Sequence, residues 1–240
     1  MSSLASCLES TYLKTAAQSG ISERENKELI KSLVEEALNY NFKLVMVYPQ
    51  YIDMVRNILK DKQPRILLGS VIDFPKGEGN LELKLMEANT AIDAGVDELD
   101  FVINYNLYKK GNIEEVRHIV KNCTDLCLRH NKVIKWIIEI AALTDAEIQG
   151  ITCLIKSIVD EYFALQSHTV FIKSSTGFYK RKDGKPIGAT EHGIRLIKAN
   201  SGSLPVKASG GLKTKEDVER MLNLGVTRIG TSSAKEILLG

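Results

Sequence analysis

The 240-residue chain holds one tryptophan, five prolines and four cysteines, and aromatic side chains make up only 6% of it. No apolar run reaches the roughly 18 residues needed to cross a bilayer, and residues 1–10 lack the basic start and continuous apolar core of a secretory signal. A soluble, cytoplasmic protein is expected. Neither charge sign dominates: 32 basic and 30 acidic side chains leave a net charge of +2, spread along the chain. That balance signals no nucleic-acid or membrane partner. Cys7, Cys123, Cys127 and Cys153 form neither a CxxC nor a disulfide framework. Cys123 and Cys127 lie one helical turn apart beside Ile119 and Val120, which reads as core packing rather than a metal pair. His118, His130, His168 and His192 are scattered, so no metal or cofactor motif stands out. No GxGxxG follows the first strand candidate, which weakens a dinucleotide-binding reading. No low-complexity stretch or linker divides the chain, and one domain over residues 1–240 is expected.

What is present is an alternation. At 44% hydrophobic and 26% charged, the chain can bury a large core. Short apolar stretches at residues 4–13, 42–48, 65–72, 98–103, 133–140, 170–173, 205–208 and 228–230 read as strands. Between them apolar residues recur at helical spacing, as in Leu29, Ile30, Leu33, Val34, Ala37 and Leu38. Helix starts are marked by the capping boxes Ser22-x-x-Glu25, Thr144-x-x-Glu147 and Thr214-x-x-Asp217, by Asn80 and Asn112, and by Ser232 or Ser233 before the last helix. Eight strand–helix units at intervals of roughly 30 residues predict an α/β protein, a (β/α)8 TIM barrel of parallel strands. A doubly wound open sheet would give a similar pattern, but eight units without a break in composition favour closure.

Two strands end on lysine. In VFIKSSTGF (170–178) an apolar, β-branched strand stops at Lys173, and in PVKASGG (205–211) another carries Lys207. A lysine at a strand end can snorkel to water. If its amine is buried instead, its pKa falls, and the neutral amine can attack a carbonyl to form a Schiff base. In a barrel both strand ends open on one mouth. Two ammonium groups ~7 Å apart at an effective dielectric near 20 repel by about 2.4 kcal/mol, close to two pKa units. Asp100 in ELDFVIN (98–104) shares a face with Asn104, opposite Leu99, Phe101 and Ile103, so it is expected inside the barrel. There it balances the lysine charge and passes protons, or forms a purely structural ion pair. The turns Ser175-Thr176-Gly177, Gly210-Gly211 and Gly230-Thr231-Ser232-Ser233 follow strands six to eight, where barrels often hold a phosphate, and Lys213 adds a cation or is simply solvated.

The segments ELDFVIN, VFIKSSTGF, VKASGGLKT (206–214) and GVTRIGTSSAKEIL (225–238), with GSVIDFPKG (69–77), together resemble the deoxyribose-phosphate aldolases, class I aldolases on a (β/α)8 barrel. The resemblance runs through nearly the whole chain. It implies reversible cleavage of 2-deoxy-D-ribose 5-phosphate to D-glyceraldehyde 3-phosphate and acetaldehyde, with no metal or cofactor. It also implies that Lys173 forms the Schiff base, that Asp100 donates and accepts protons, and that Lys207 perturbs its neighbour and joins the relay. Thr176, Gly177, Gly210, Gly211, Lys213, Ser232 and Ser233 match the phosphate-contacting turns. Partners are then a phosphosugar and small aldehydes, and a homo-oligomer is compatible with the chain.

Four features depart from that family pattern. Met46 stands where many members carry cysteine, and Glu9-Ser10-Thr11 replaces Asp-His-Thr. The chain ends at Gly240 without a tyrosine-ended tail. The loop at residues 178–187, with Arg181 and Lys182, is longer and more basic than the pattern, either a phosphate-steering lid or a solvated loop. Competing readings are a Schiff-base aldolase for another phosphorylated sugar, a non-catalytic phosphosugar-binding barrel, and an isomerase using Glu139 in WIIEI as its base. The last leaves both strand-end lysines without a job.

Overall fold

Each of the eight apolar stretches supplies one short strand. A computed structural model describes residues 4–180 and 187–240. The first stretch divides: Leu4–Cys7 is a turn of 3-10 helix, and only Leu8–Tyr12 is strand β1. The others are β2 Leu44–Val47, β3 Leu67–Ile72, β4 Glu98–Val102, β5 Val133–Ile137, β6 Val170–Lys173, β7 Val206–Ser209 and β8 Arg228–Thr231. They pair in chain order, all parallel, and β8 returns to β1 to close the barrel. A strand predicted at 133–140 ends at Ile137, because Glu139 turns left-handed and Ile140–Ala142 coil into a 3-10 turn.

The helices are α1 Ala16–Ser19, α2 Glu23–Tyr40, α3 Ile52–Leu59, α4 Leu81–Asp93 and α5 Tyr105–Lys109, followed by α6 Ile113–Arg129, α7 Asp145–Tyr162, α8 Glu191–Asn200, α9 Lys215–Asn223 and α10 Ala234–Leu239. The boxes at Ser22, Thr144 and Thr214 close as expected, each side chain accepting from the third helical N–H while that residue's carboxylate reaches back. Asn112 precedes α6 but makes no side-chain cap. α5 was not expected. Asn104, placed by alternation beside Asp100, instead caps α5 by accepting from the Leu107 N–H at 2.9 Å. Among the described residues no helix is long and apolar enough to cross a membrane.

The main core lies between strands and helices and includes Val45, Phe101, Ile134, Trp136, Ile172 and Ile229, with Cys123 and Cys127 buried as free thiols. A second, smaller apolar cluster of Leu13, Leu44, Met46 and Val71 draws Tyr48, Phe74 and Phe178 against it. It comes from the β1 to β3 side of the barrel. The other side is charged.

Candidate active site

On β4, Glu98 and Asp100 alternate with Leu99 and Phe101, so the carboxylates turn one way and the bulky pair packs the other. Neighbouring strands answer with cations. Register sets Asp100 beside Lys135 of β5, and Lys173 of β6 beside Lys207 of β7. Asp100, Lys135 and Lys207 are fully buried and Lys173 is 2% exposed. Asp100 Oδ2 accepts from Lys173 Nζ at 2.9 Å and from Lys207 Nζ at 2.7 Å, while Oδ1 accepts from Lys135 Nζ at 2.8 Å. Lys207 also pairs with Glu9 of β1, and Lys135 with Glu98 at 2.6 Å. Arg228 of β8 ties Glu9 and Glu98 together at 3.3 and 3.1 Å. Gly230 makes room for Lys207, since a Cβ there would meet its Cε at 2.9 Å.

Four buried or nearly buried cations (Lys135, Lys173, Lys207, Arg228) thus face three carboxylates (Glu9, Glu98, Asp100). A low-dielectric interior penalises the surplus charge, and one neutral amine removes it. Among the described residues Lys173 is the one with a single carboxylate partner. Burial pushes its ammonium down, Asp100 pulls it back up, and Lys207 pushes it down again, to about 8. Both lysines reach the same oxygen, so they sit nearer than the ~7 Å supposed from sequence. Burial alone would raise the Asp100 carboxyl, but Lys135, Lys173 and Lys207 together hold it well below the usual range. Lys135 goes the other way: burial is outweighed by Asp100, Glu9 and Glu98, and its ammonium is raised.

Lys173 opens into a cavity of about 400 Å³. Its walls are the turns after β6, β7 and β8, with Thr176, Gly177, Ser209, Gly210, Gly211, Lys213, Thr231 and Ser232, and the end of β1 with Thr11 to Lys14. Among the described residues the N–H groups of Gly177, Gly210, Gly211 and Ser232 make no hydrogen bond. Lys14 and Lys213 line the wall without a carboxylate partner among those residues. Among the described residues three lysines and no carboxylate therefore line this cavity, which favours an anion. Phe178 closes one side, its ring 5.1 Å from that of Phe74 and at 80° to it.

A protein-family model described as DeoC/LacD family aldolase matches residues 13–237. The chain is 37% identical over 216 residues to deoxyribose-phosphate aldolase of Dictyoglomus turgidum, covering 88% of each chain. It is 34% identical over 234 residues to that of Treponema denticola, covering 97% of each. Among solved structures, the tetrameric deoxyribose phosphate aldolase from Aeropyrum pernix superposes with a TM-score of 0.78 at 29% identity, over 98% of this chain and 89% of that one. The chain belongs to the DeoC/LacD family of aldolases.

This aldolase is a lyase, and its fold brings Lys173, Asp100 and Lys207 into one cluster as the sequence suggested. Gly177, Gly210, Gly211, Lys213 and Ser232 line the cavity, but two of the predicted phosphate contacts behave differently. Ser233 is not on the cavity wall, and its N–H goes to Thr231 Oγ1 at 3.0 Å. Thr176 lines the cavity, yet its N–H and hydroxyl both donate to Glu139. That also ties down the carboxylate proposed as an isomerase base. Residues 181–186, the core of the basic loop with Arg181 and Lys182, lie outside the described residues. Sequence reading missed Lys135, Glu98 and Arg228, and treated Glu9 only as a departure. Lys135 was findable: a lysine inside the apolar run VIKWI is as anomalous as Lys173. Glu98 follows from the same alternation that placed Asp100. Among the described residues no group of three or more His, Cys, Asp or Glu side chains could hold a metal ion.

Proposed function

We propose that this aldolase reversibly cleaves 2-deoxy-D-ribose 5-phosphate into D-glyceraldehyde 3-phosphate and acetaldehyde through a Schiff base on Lys173. The observation that carries the reading is a buried amine, lowered to about 8 and paired with one carboxylate among the described residues, at the floor of a cavity lined by backbone N–H groups without a partner among those residues and by two further lysines. The names of the Dictyoglomus, Treponema and Aeropyrum relatives support the substrate.

The neutral Lys173 amine adds to the C1 aldehyde, and loss of water leaves an iminium. The C3 hydroxyl then gives up its proton and the C2–C3 bond breaks. Its electron pair moves to the iminium to form an enamine, and D-glyceraldehyde 3-phosphate leaves. Protonation of the enamine carbon and addition of water release acetaldehyde and the free amine. Asp100 Oδ2 stands between the Lys173 and Lys207 nitrogens, so one oxygen links them for proton transfer, with water completing the relay. Gly177, Gly210, Gly211 and Ser232 receive the phosphate beside Lys213, with Ser233 at the edge of that turn, and fix the reacting carbons over the amine.

On this reading residues 1–240 act as one catalytic domain, with a phosphosugar and two aldehydes as partners, in the cytoplasm. The tetrameric Aeropyrum relative supports a homo-oligomer. The test is borohydride reduction in the presence of acetaldehyde, followed by peptide mass mapping. An ethyl adduct on Lys173, absent from Lys173→Ala, is the expected result. Phosphosugar binding without any trapped lysine would identify a non-catalytic barrel, and an adduct elsewhere would remove the assignment.

A further inference from the structure

Glu139 takes no part in the ion-pair cluster or in the steps above, yet it is 1% exposed. Its backbone lies at φ 55° and ψ 69°, a left-handed conformation that is strained for a non-glycine residue and persists only where the surroundings impose it. The surroundings here are β6 and its continuation. The Ile138 N–H donates to Lys173 O at 3.0 Å and the Ile140 N–H to Ser174 O at 2.9 Å, so the chain is pinned on both sides of Glu139. Between those pins the side chain reaches Thr176. Its Oε2 accepts the Thr176 N–H at 3.0 Å and the Thr176 hydroxyl, and Thr176 Oγ1 in turn accepts the Phe178 N–H at 3.0 Å.

This run of bonds spans the turn from Ser174 to Phe178, the first of the three turns around the cavity. The Thr176 hydroxyl is fixed in both roles, its proton on Glu139 and its oxygen on Phe178. It has no proton left to offer a ligand. What the turn presents instead is Gly177, at φ 81°, packed against Gly210 of the next turn. Ser174 and Ser175 are also tied to Ser209 of β7, but Thr176 itself is otherwise held only by the Phe178 N–H within the same turn among the described residues, so without Glu139 the turn would lose the acceptor for two donors. Burial raises the Glu139 carboxyl, while the Thr176 and Ala141 N–H groups and Lys173 draw it back.

We propose that Glu139 is a positioning residue, which through Thr176 holds the 174–178 turn in the shape that receives the phosphate of the substrate. The proposal rests on the phosphosugar reading above. The experiment compares kcat and KM for 2-deoxyribose 5-phosphate and unphosphorylated 2-deoxyribose in wild type, Glu139→Ala, Glu139→Gln, Thr176→Val and the Glu139→Ala, Thr176→Val double variant. Glu139→Ala is expected to raise KM for the phosphorylated sugar about tenfold or more, with less than about a threefold change in kcat/KM for the other sugar. Glu139→Gln keeps an oxygen that accepts both donors and restores most of the loss. The double variant is no worse than the worse single, because both remove one interaction.

Equal losses on both sugars, or additive effects, would overturn the proposal. Should Glu139→Ala fail to fold, Thr176→Val against Thr176→Ser makes the same comparison, and equal KM values for the two would overturn it. Failure of the wild type to cleave the phosphorylated sugar, with no adduct on Lys173, would sink the functional reading itself. A working wild type with unaltered Glu139 variants would sink only this inference.

Discussion

The burial that lowers the Lys173 amine costs folding energy. That amine is lowered to about 8 from an ordinary value of 10.5, and burial is the first cause. A base whose pKa falls on folding binds fewer protons in the native state than in the unfolded one. Stability therefore rises with pH from about 8 towards 10.5, and the full penalty is present below 8. Lys173→Met is expected to stabilise the fold at pH 7 by ~1–3 kcal/mol, with the gain shrinking as pH approaches 10. Denaturant unfolding at pH 7 and pH 10 checks this, and a pH-independent gain would refute it. On the proposed function the same amine sets the rate, and kcat/KM is expected to climb with pH through about 8 as the neutral form accumulates. Removing the Lys207 ammonium, as in Lys207→Leu, takes away a charge that presses Lys173 down and should move that limb to higher pH; an unmoved limb would show that the two are uncoupled. Lys173, Asp100 and Lys207 were legible from sequence because each is a polar residue where an apolar one is expected. Glu9 was not, because a carboxylate in a short, mixed strand carries no such contrast.

At the scale of elements, the strands meet through their charges as much as through their ladders. Glu9, Glu98, Lys135 and Arg228 join β1, β4, β5 and β8 across the barrel interior. Arg228 is the tie between two buried carboxylates, and its side chain is 12% exposed. Arg228→Met leaves Glu9 and Glu98 facing each other with one cation fewer and should destabilise by ~3 kcal/mol, as breaking a buried pair does. Adding Glu98→Gln should recover part of that loss, because it removes one of the two charges that Arg228 offset while Lys135 keeps Asp100 as a partner. Denaturant titrations of the single and double variants decide it, and additive losses would show that Arg228 does not act through these carboxylates. Strand order and helix starts were readable, since capping boxes and alternation are local. Strand ends were not: Ile138 and Ile140 flank Glu139 and still bond to Lys173 O and Ser174 O, yet regular strand ends at Ile137 because Glu139 turns left-handed into a 3-10 turn. α5 escaped for a related reason, as Asn104 continues the alternation of β4 while its side chain caps a new helix.

At the scale of the molecule, Trp136 is a built-in reporter. It is the sole tryptophan, fully buried, its ring 5.2 Å from that of Phe101 and tilted 40° to it, and it donates to Thr124 Oγ1 at 3.1 Å, so it spans β4, β5 and α6. If residues 1–240 form one cooperative unit, its fluorescence and the far-ultraviolet circular dichroism should change in a single coincident denaturant transition. Separate midpoints would show that part of the barrel unfolds on its own. The molecule is also divided across its interior, with an apolar cluster on the β1 to β3 side and the charges gathered from β4 to β8 with Glu9.

The order of the strands, the helix starts at the Ser22, Thr144 and Thr214 capping boxes and the misplaced Lys173 and Lys207 follow from the sequence alone, because periodicity, capping and the misfit of a charge in an apolar run are properties of neighbouring residues. The pairing of Lys135 with Asp100, the tie of Arg228 to Glu9, and the diversion of Thr176 to Glu139 were decided only by tertiary structure. Each depends on which strand lies beside which and in what register. Residues 9 and 228 lie at opposite ends of the chain, and it is closure of the barrel that makes them partners.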